Sequence, residues 1–348
     1  MKLLGFVTLF SLYSLCVGVS TFTNPIKSTD GSDPYMVYSN GYYYLTTTTW
    51  SNIQITRATT MAGLKTATPK VVWTDSTASR CCNMGSRDPL DFWRVFMVYV
   101  SKRATTIDFD DRLTLCALLD SYYTAGTTGT FDNQRLHVLK GSSTDIWEST
   151  WSYASRITIP NRDVWAIDAT VLFLSAGPYL VFSSWDGDEQ CLWISKMNSA
   201  TSVGDAVKIS SPTNSWERVV ANVNEGPAGL YHEGRTWVVY SASSCAGTGY
   251  SLGRIELTGS DPLSASSWTK YDAGPIFSAA NGDYAPGHNG FFTPPSGNIY
   301  LVYHASPTSS VTCDGNRRTM VQAVGWHSDG TPNLGEPRAL TDNVPEPA

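Results

Sequence analysis

A pair of apolar segments separated by a glycine-bearing turn recurs along the sequence. Copies lie at 35–49, 169–184, 229–243 and 290–305. Apolar runs on both sides of such a turn predict an antiparallel hairpin. The last three copies are spaced by about 60 residues, and the longer gap before them leaves room for one more repeat, with its second strand at 122–125. Five repeats of several strands, with no helical stretch between them, predict an all-β fold, a five-bladed β-propeller.

The composition agrees with this fold and excludes several classes of protein. Charged residues make up 16% of the chain and aromatic residues 12%, so the chain can bury enough apolar surface to fold, and disorder is excluded. Thr, Ser, Val and Tyr outweigh the strong helix formers, which argues against a helical bundle. A net charge of −6 argues against a nucleic-acid partner, because nucleic-acid binding draws on clustered Lys and Arg.

Residues 1–20 have the pattern of a secretory signal peptide. Lys2 provides the positive n-region, residues 3–17 the apolar stretch, and residues 18–20 a small-residue cleavage site. The apolar run is short for a spanning helix of about 20 residues, so we expect a secreted, extracellular protein without membrane association after signal removal. Residues 21–348 then form one propeller domain. This domain contains cysteines whose pairing the sequence leaves open: Cys81, Cys82, Cys116, Cys191, Cys245 and Cys313.

The segment 85–121 departs from the repeat pattern. It is richer in charge than its surroundings and matches no blade. One interpretation is a loop insertion, which propellers tolerate. The other, which we favour, is an error in the gene prediction, such as a translated intron in place of a genuine exon. Either way, we predict that the second blade is disturbed.

Three acidic residues occupy equivalent positions, each just before or at the start of the first strand of a repeat. They are Asp33, Asp168 and Glu225, and the fifth repeat has His288 at the same place. The first strand of every blade lines the central channel, so these side chains should converge at one end of the axis. A lone Asp at such a site is usually a turn residue, but turn chemistry does not explain the equivalence. Converging carboxylates suit glycosidic hydrolysis, where one group protonates the leaving oxygen and another activates water.

Aromatic residues near these positions agree with a sugar ligand. Trp50, Trp165 and Trp185 lie at strand ends or in loops, where they could stack on sugar rings. The alternative is that the three indoles seal contacts between blades.

At these residues the chain resembles glycoside hydrolase family 43, the five-bladed propeller arabinofuranosidases, xylosidases and arabinanases. The resemblance covers nearly all of the chain after the signal except 85–121, and it is carried in order by GSDPYMVYSNGYYYL, NRDVWAIDATVL, VNEGPAGLYHEGRTWVVYSAS, GYSLGRIELTGSDPLSASSWTK, APGHNGFF and HSDGTPNLGEP. The longer stretches look most like the α-L-arabinofuranosidase branch.

The resemblance implies a role for each carboxylate. Asp33 matches the general base, Glu225 the general acid, and Asp168 a third carboxylate that raises the pKa of the acid and orients it. The family inverts configuration, which requires the base and acid carboxyl groups to stand about 6.5–9.5 Å apart with water between them.

The resemblance also implies ligand-binding positions. His288 matches an axial histidine that holds a central ion, often calcium, through water; the alternative is a hydrogen-bonded channel histidine without metal. No cofactor is required for the reaction. Arg318 lies where relatives place an arginine that touches the sugar, although the neighbouring Arg317 is an alternative for this role.

One departure from the family affects the functional expectation. After Met84 the family would place a Trp-Ala-Pro-Glu motif and the first strand of the second blade, and neither is found in the sequence. We expect a secreted, monomeric enzyme that removes α-L-arabinofuranosyl residues from a plant cell-wall polysaccharide, arabinan or arabinoxylan. The alternatives are a β-xylosidase or endo-arabinanase of the same family, or an impaired propeller that binds sugar without turnover.

Overall fold

The computed structural model describes residues 20–87, 120–127 and 131–347, which form five antiparallel blades arranged as a propeller. This confirms the predicted all-β, five-bladed fold. The strands in chain order are β1 (Thr21–Phe22), β2 (Tyr35–Ser39), β3 (Tyr42–Thr46), β4 (Ile53–Ala58), β5 (Lys70–Trp73), β6 (Cys82–Arg87), β7 (Asp120–Gly126), β8 (Arg135–Gly141), β9 (Trp151–Arg156), β10 (Ile167–Leu174), β11 (Gly177–Asp186), β12 (Glu189–Ser199), β13 (Ser202–Ser210), β14 (Asn224–His232), β15 (Arg235–Ala242), β16 (Ser251–Leu257), β17 (Trp268–Lys270), β18 (Tyr284–Phe292), β19 (Tyr300–Ser306), β20 (Arg318–Ala323), β21 (Gly325–Trp326), β22 (Pro332–Asn333) and β23 (Val344–Pro345).

Consecutive strands pair within each blade. Blades 1 to 5 comprise β2–β5, β6–β9, β10–β13, β14–β17 and β18–β20. The first strands of neighbouring blades lie side by side, β10 against β14, β14 against β18 and β18 against β2. Helical structure in the described residues is short: α1 (Met61–Leu64) and 3₁₀ turns at Ser215–Arg218 and Ala265–Ser267.

Five apolar clusters hold the ring together, and each fills one gap between neighbouring blades. Adjacent strand residues point to opposite faces of a sheet, so they enter different gaps. Tyr43 packs towards blade 5 and Tyr44 towards blade 2. Trp237 packs towards blade 5 and Val238 towards blade 3. The middle strands are therefore apolar on both faces, which is why they read as continuous apolar runs in the sequence.

The N-terminal part of the described chain completes blade 5. The Ile26 N–H donates to the Thr319 carbonyl at 2.9 Å, and the Thr319 N–H donates to the Lys27 carbonyl at 2.9 Å. The side chain of Asn24 donates to the Val321 carbonyl at 2.9 Å and accepts from the Val321 N–H at 3.0 Å. Residues 24–27 thus form hydrogen bonds with the backbone groups on the outer edge of β20. β1 pairs with β23.

The second blade has four strands in the described residues. Cys82–Arg87 forms β6 and pairs antiparallel with β7. The second blade therefore has a first strand, although the comparison with the family pattern did not find one in the sequence. Residues 88–119, most of the atypical segment 85–121, lie outside the described residues. The prediction that this segment disturbs the blade is therefore not tested.

Two disulfides join described cysteines. Cys245 is bonded to Cys313, across blades 4 and 5, and Cys81 is bonded to its neighbour Cys82. Cys191 is buried and carries a free thiol. The sequence had left this pairing open.

The predicted signal segment 1–20 lies outside the described residues except for Ser20. Within the described part of the chain, no helix is long and apolar enough to cross a membrane.

Candidate active site

Left-handed backbones and shifts of strand register mark the positions of the acidic residues at the channel. Asp33, Asp168 and His288 have left-handed backbones, with φ values of 52°, 57° and 50°. Glu225 is followed by the left-handed Gly226, at φ 60°. The β10–β11, β14–β15 and β18–β19 pairings each shift register at these positions. Left-handed conformations are costly for residues other than glycine, and they concentrate at functional sites. Asp33, Asp168, Glu225 and His288 therefore occupy equivalent positions in the structure of their blades, as they do in the sequence repeats.

The three carboxylates share one cavity of about 260 Å³ in the centre of the propeller face. Its lining is Asp33, Thr48, Trp50, Thr124, Phe131, Gln134, Trp165, Ile167, Asp168, Glu225, Cys245, His288, Cys313 and Arg317. Two other clefts in the described part of the chain, around Arg338 and around Tyr271, contain none of the three carboxylates. The acidic cavity is therefore the candidate site on chemical grounds.

Asp33 lies among basic groups. Its Oδ1 is 3.1 Å from Arg317 Nη1 and 3.2 Å from His288 Nδ1. His304 Nδ1 is 3.3 Å from the same oxygen and 3.1 Å from the Asp33 backbone nitrogen. Burial alone would raise the pKa of Asp33, but His288, Arg317 and His304 outweigh it and hold the pKa well below its ordinary value. Asp33 is therefore ionised at neutral pH, as a general base must be.

Glu225 lies in the opposite electrostatic setting. Burial raises the pKa of Glu225 above its ordinary value, and the charge of Asp33 adds to the rise. Tyr250 Oη donates to Glu225 Oε1 at 2.7 Å, and Gln190 Nε2 donates to Oε2 at 3.1 Å. These two hydrogen bonds act against the rise without cancelling it. Burial also raises the pKa of Tyr250 well above its ordinary value, so its hydroxyl remains a donor.

Asp168 supports the backbone beside Glu225. Its Oδ2 accepts a hydrogen bond from the Gly226 N–H at 3.0 Å, and its own N–H donates to Thr124 Oγ1 at 3.4 Å. The contact with Gly226 ties blade 3 to the turn that contains Glu225. This position suits the predicted orienting role, while the predicted effect of Asp168 on the acid's pKa stays a prediction.

His288 stands between two carboxylates. Its Nδ1 is 3.2 Å from Asp33 Oδ1, and its Nε2 is 3.7 Å from Asp168 Oδ1. Calcium prefers six to eight oxygen ligands. Among the described residues, no three His, Cys, Asp or Glu side chains are grouped so that they could hold a metal ion. The side chains around His288 therefore do not form a direct calcium site, and an ion held through water stays a prediction.

The predicted tryptophans border the cavity to different extents. Trp50 and Trp165 line it, and Trp185 packs against Trp165 with ring centroids 5.7 Å apart. Phe131, which was not predicted from the sequence, is exposed, and its ring centroid lies 6.0 Å from that of Trp50. The backbone carbonyl of Phe131 accepts a hydrogen bond from Trp165 Nε1. These rings form an aromatic border on one side of the cavity.

The arginine prediction requires a correction. Arg318 donates to the buried Asp283 at 2.8 Å and does not line the cavity. Arg317, the alternative considered for the same role, faces Asp33 and lines the cavity. Neighbouring residues project to opposite sides at the start of a strand, so only one of the two can reach the channel.

Three residues that contact Glu225 or Asp33 were not predicted from the sequence. Tyr250 and Gln190 contact Glu225, and His304 contacts Asp33. They lie on second or third strands of their blades, or next to them, and have no counterpart in the repeat pattern. Only the register of every strand in the sheet would have identified these three residues, and the repeat pattern does not give that register.

One cavity thus contains an ionised carboxylate, Asp33, and a carboxyl group with a raised pKa, Glu225. Such a pair can provide a base and an acid for displacement at one carbon atom. The aromatic border offers apolar faces of the kind that pack against sugar rings.

Comparisons with known proteins agree with this chemistry. The sequence model of Glycosyl hydrolases family 43 matches residues 113–332. An extracellular exo-alpha-(1->5)-L-arabinofuranosidase from Streptomyces avermitilis is 34% identical over 333 residues, covering 92% of this chain and 64% of the relative. Alpha-L-arabinofuranosidase 43 from Humicola insolens is 31% identical over 340 residues, covering 92% and 65%. The chain thus spans slightly less than two thirds of the length of these two relatives.

A solved structure resembles the whole described fold. The crystal structure of an alpha-L-arabinofuranosidase from Lactobacillus brevis gives a TM-score of 0.79 at 27% identity, covering 92% of this chain and 98% of the other. A family match of this extent on a five-bladed fold shows that the chain belongs to glycoside hydrolase family 43.

Proposed function

We propose that this protein is an inverting glycosidase that releases α-L-arabinofuranosyl residues from plant arabinan or arabinoxylan. The observation that carries the proposal is the geometry of one cavity, in which Asp33 lies against Arg317, His288 and His304 while Glu225 is buried and accepts from Tyr250. These surroundings shift the pKa of Asp33 down and the pKa of Glu225 up. Inverting hydrolysis needs one carboxylate ionised to activate water and the other protonated to release the leaving group. The names of the relatives support the choice of arabinofuranose.

In the proposed reaction, Asp33 removes a proton from a water molecule as that water attacks the anomeric carbon. Glu225 delivers its proton to the glycosidic oxygen as the bond to the leaving sugar breaks. The hydroxyl of the water ends on the anomeric carbon, from the face opposite the leaving group. Asp168 acts through the backbone of Gly226, which it holds beside the acid.

The size of the cavity favours action on a terminal sugar. A volume of about 260 Å³ lies just below the range of about 300–1,000 Å³ that is usual for ligand pockets, which suits a single sugar ring. This supports removal of one residue at a time over internal cleavage by an endo-arabinanase. The aromatic border at Trp50, Phe131 and Trp165 would contact the sugar or the residue that follows it.

The test compares wild type with Glu225→Gln and Asp33→Asn on an aryl α-L-arabinofuranoside, an aryl β-D-xyloside and linear arabinan. We expect release of arabinose by wild type, a loss of about 10²-fold or more in both variants, and little action on the xyloside. Equal trace rates for wild type and variants, with arabinan still bound, would favour the sugar-binding propeller. Preference for the xyloside would favour the β-xylosidase.

We further propose that the protein is secreted and that hydrolysis needs no metal ion. The signal pattern of residues 1–20, the name of the extracellular relative from Streptomyces avermitilis and the Cys245–Cys313 disulfide support secretion, because disulfides persist in oxidising compartments. The acid and base side chains supply both proton transfers themselves. Dialysis against EDTA should leave kcat unchanged, and recovery of a lost activity by calcium alone would contradict this.

A further inference from the structure

The Cys245–Cys313 disulfide forms part of the cavity wall and joins two loops of neighbouring blades. Cys245 belongs to the loop between β15 and β16 in blade 4, and Cys313 to the loop between β19 and β20 in blade 5. Both half-cystines line the cavity that holds the carboxylates.

The loop that contains Cys313 supports the general base. Arg317, four residues later, contacts Asp33 Oδ1 at 3.1 Å. The loop backbone also binds the turn that precedes Asp33: the Gly315 carbonyl accepts from the Asp30 N–H at 2.7 Å, and the Asp314 carbonyl accepts from Ser32 Oγ at 3.0 Å. The position of Asp33 therefore follows the position of this loop.

The loop that contains Cys245 supports the general acid. It leads to Tyr250, whose hydroxyl donates to Glu225 at 2.7 Å. A side chain at Gly287 would overlap the Tyr250 ring, so the strand backbone packs directly on that ring. Tyr250 also stacks on His304, with centroids 5.7 Å apart and planes 5° apart, and His304 contacts the base.

We propose that the Cys245–Cys313 disulfide is a positioning link, which fixes the separation between Asp33 and Glu225 by tying the loop of Arg317 to the loop of Tyr250. This inference rests on the proposed function. Catalytic groups displaced by about 1 Å can lose on the order of 10²-fold in rate, so a covalent tie between the two supports has a direct kinetic consequence. Without the link, both loops keep their sequence but lose their common anchor.

The pH profile provides the distinguishing readout. Tyr250 lowers the pKa of Glu225 and Arg317 lowers the pKa of Asp33, so weakening both contacts raises both pKa values. Cys245→Ser/Cys313→Ser should therefore move both limbs of the kcat/KM profile to higher pH. Tyr250→Phe should move only the basic limb. Arg317→Gln should move the acidic limb and also raise the basic limb, because Arg317 lowers the pKa of both Asp33 and Glu225. A role in stability alone would lower the melting temperature and leave both limbs in place.

The rate measurement uses two substrates at a temperature well below unfolding. On arabinan, whose leaving oxygen needs a proton, the double variant should lose about 10-fold or more in kcat. The loss should be smaller on a 4-nitrophenyl arabinofuranoside, whose leaving group needs little protonation. Cys81→Ser/Cys82→Ser is the matched control, because it removes a disulfide that is not in the cavity lining, and its profile should equal that of wild type.

If the double variant does not fold, wild type reduced under native conditions takes its place, with the opened disulfide mapped by alkylation and mass spectrometry. If wild type that has lost the Cys245–Cys313 bond stays active and both limbs of its kcat/KM profile stay at the same pH, the positioning link is overturned and the proposed function is not. A wild type inactive on every arabinofuranoside would overturn the proposed function, and the link with it.

Discussion

Arg317 and Arg318 are adjacent in the sequence and have different surroundings. Arg317 faces the cavity and Asp33, whereas Arg318 begins β20 and forms an ion pair with the buried Asp283. Both arginines could be named from the sequence, but the choice between them depended on the register of β20. The charge on Arg317 helps to keep Asp33 ionised. Burial raises the pKa of Asp283 to about 6 even though the charge on Arg318 opposes the rise.

This difference predicts separate effects of two matched substitutions. Arg317→Gln removes a charge that lowers the pKa of Asp33, so the acidic limb of kcat/KM should move to higher pH and activity at low pH should fall. Arg318→Gln should leave that limb in place and destabilise the fold by about 3 kcal/mol, because it strands a buried carboxylate. Measurement of kcat/KM against pH, together with thermal unfolding, checks both. A shift of the acidic limb in Arg318→Gln, or its absence in Arg317→Gln, would contradict the assignment.

A buried polar network holds β14, the strand that contains Glu225. Glu217, in the 3₁₀ turn Ser215–Arg218, is fully buried and accepts hydrogen bonds from Lys270 Nζ at 2.8 Å and Tyr240 Oη at 2.8 Å. It also accepts from Asn224 Nδ2 at 2.9 Å, and Asn224 is the residue before Glu225. The network joins the turn to β14, β15 and β17. Hairpins follow from local alternation, but this network joins residues far apart in sequence that no local pattern connects.

Removing one partner of this network should be costly. Lys270→Met leaves Glu217 buried without its cation, and we expect a loss of about 3–5 kcal/mol in the free energy of unfolding. Urea titration followed by tryptophan fluorescence measures the loss. Lys208→Met is the control, because its ion pair with Asp186 is exposed and should matter little. Equal small effects of both substitutions would show that the buried pair does not stabilise the blade.

In the whole molecule, residues 24–27 add to the closure of the ring, because they pair with the edge strand of blade 5 beside the apolar cluster between blades 5 and 1. Repeat spacing in the sequence was enough to predict five blades, because each blade presents apolar residues to both neighbours. The spacing did not indicate that residues 24–27 complete the edge of β20. Hydrogen bonds along a single strand edge carry no apolar periodicity, so such pairing leaves little trace in the sequence.

Asn24 provides a direct test of closure. Asn24→Ala removes two buried hydrogen bonds to the Val321 backbone and leaves a carbonyl and an N–H without these partners. We expect a loss of about 1–3 kcal/mol and a lower melting temperature, with the carboxylate positions retained. The exposed Asn298→Ala should change stability by no more than about 0.5 kcal/mol. No difference between the two variants in calorimetry would show that the segment does not stabilise the ring.

In the proposed reaction, Asp33 and Glu225 act as base and acid on opposite faces of one sugar. The most direct measurement is proton NMR of the arabinose released from an α-L-arabinofuranoside during the first turnovers, before the anomers equilibrate. Attack by a water molecule that Asp33 activates predicts the β-anomer as the first product, with its formation abolished in Asp33→Asn. Initial release of the α-anomer would require a covalent intermediate and would contradict the assignment of the two carboxylates.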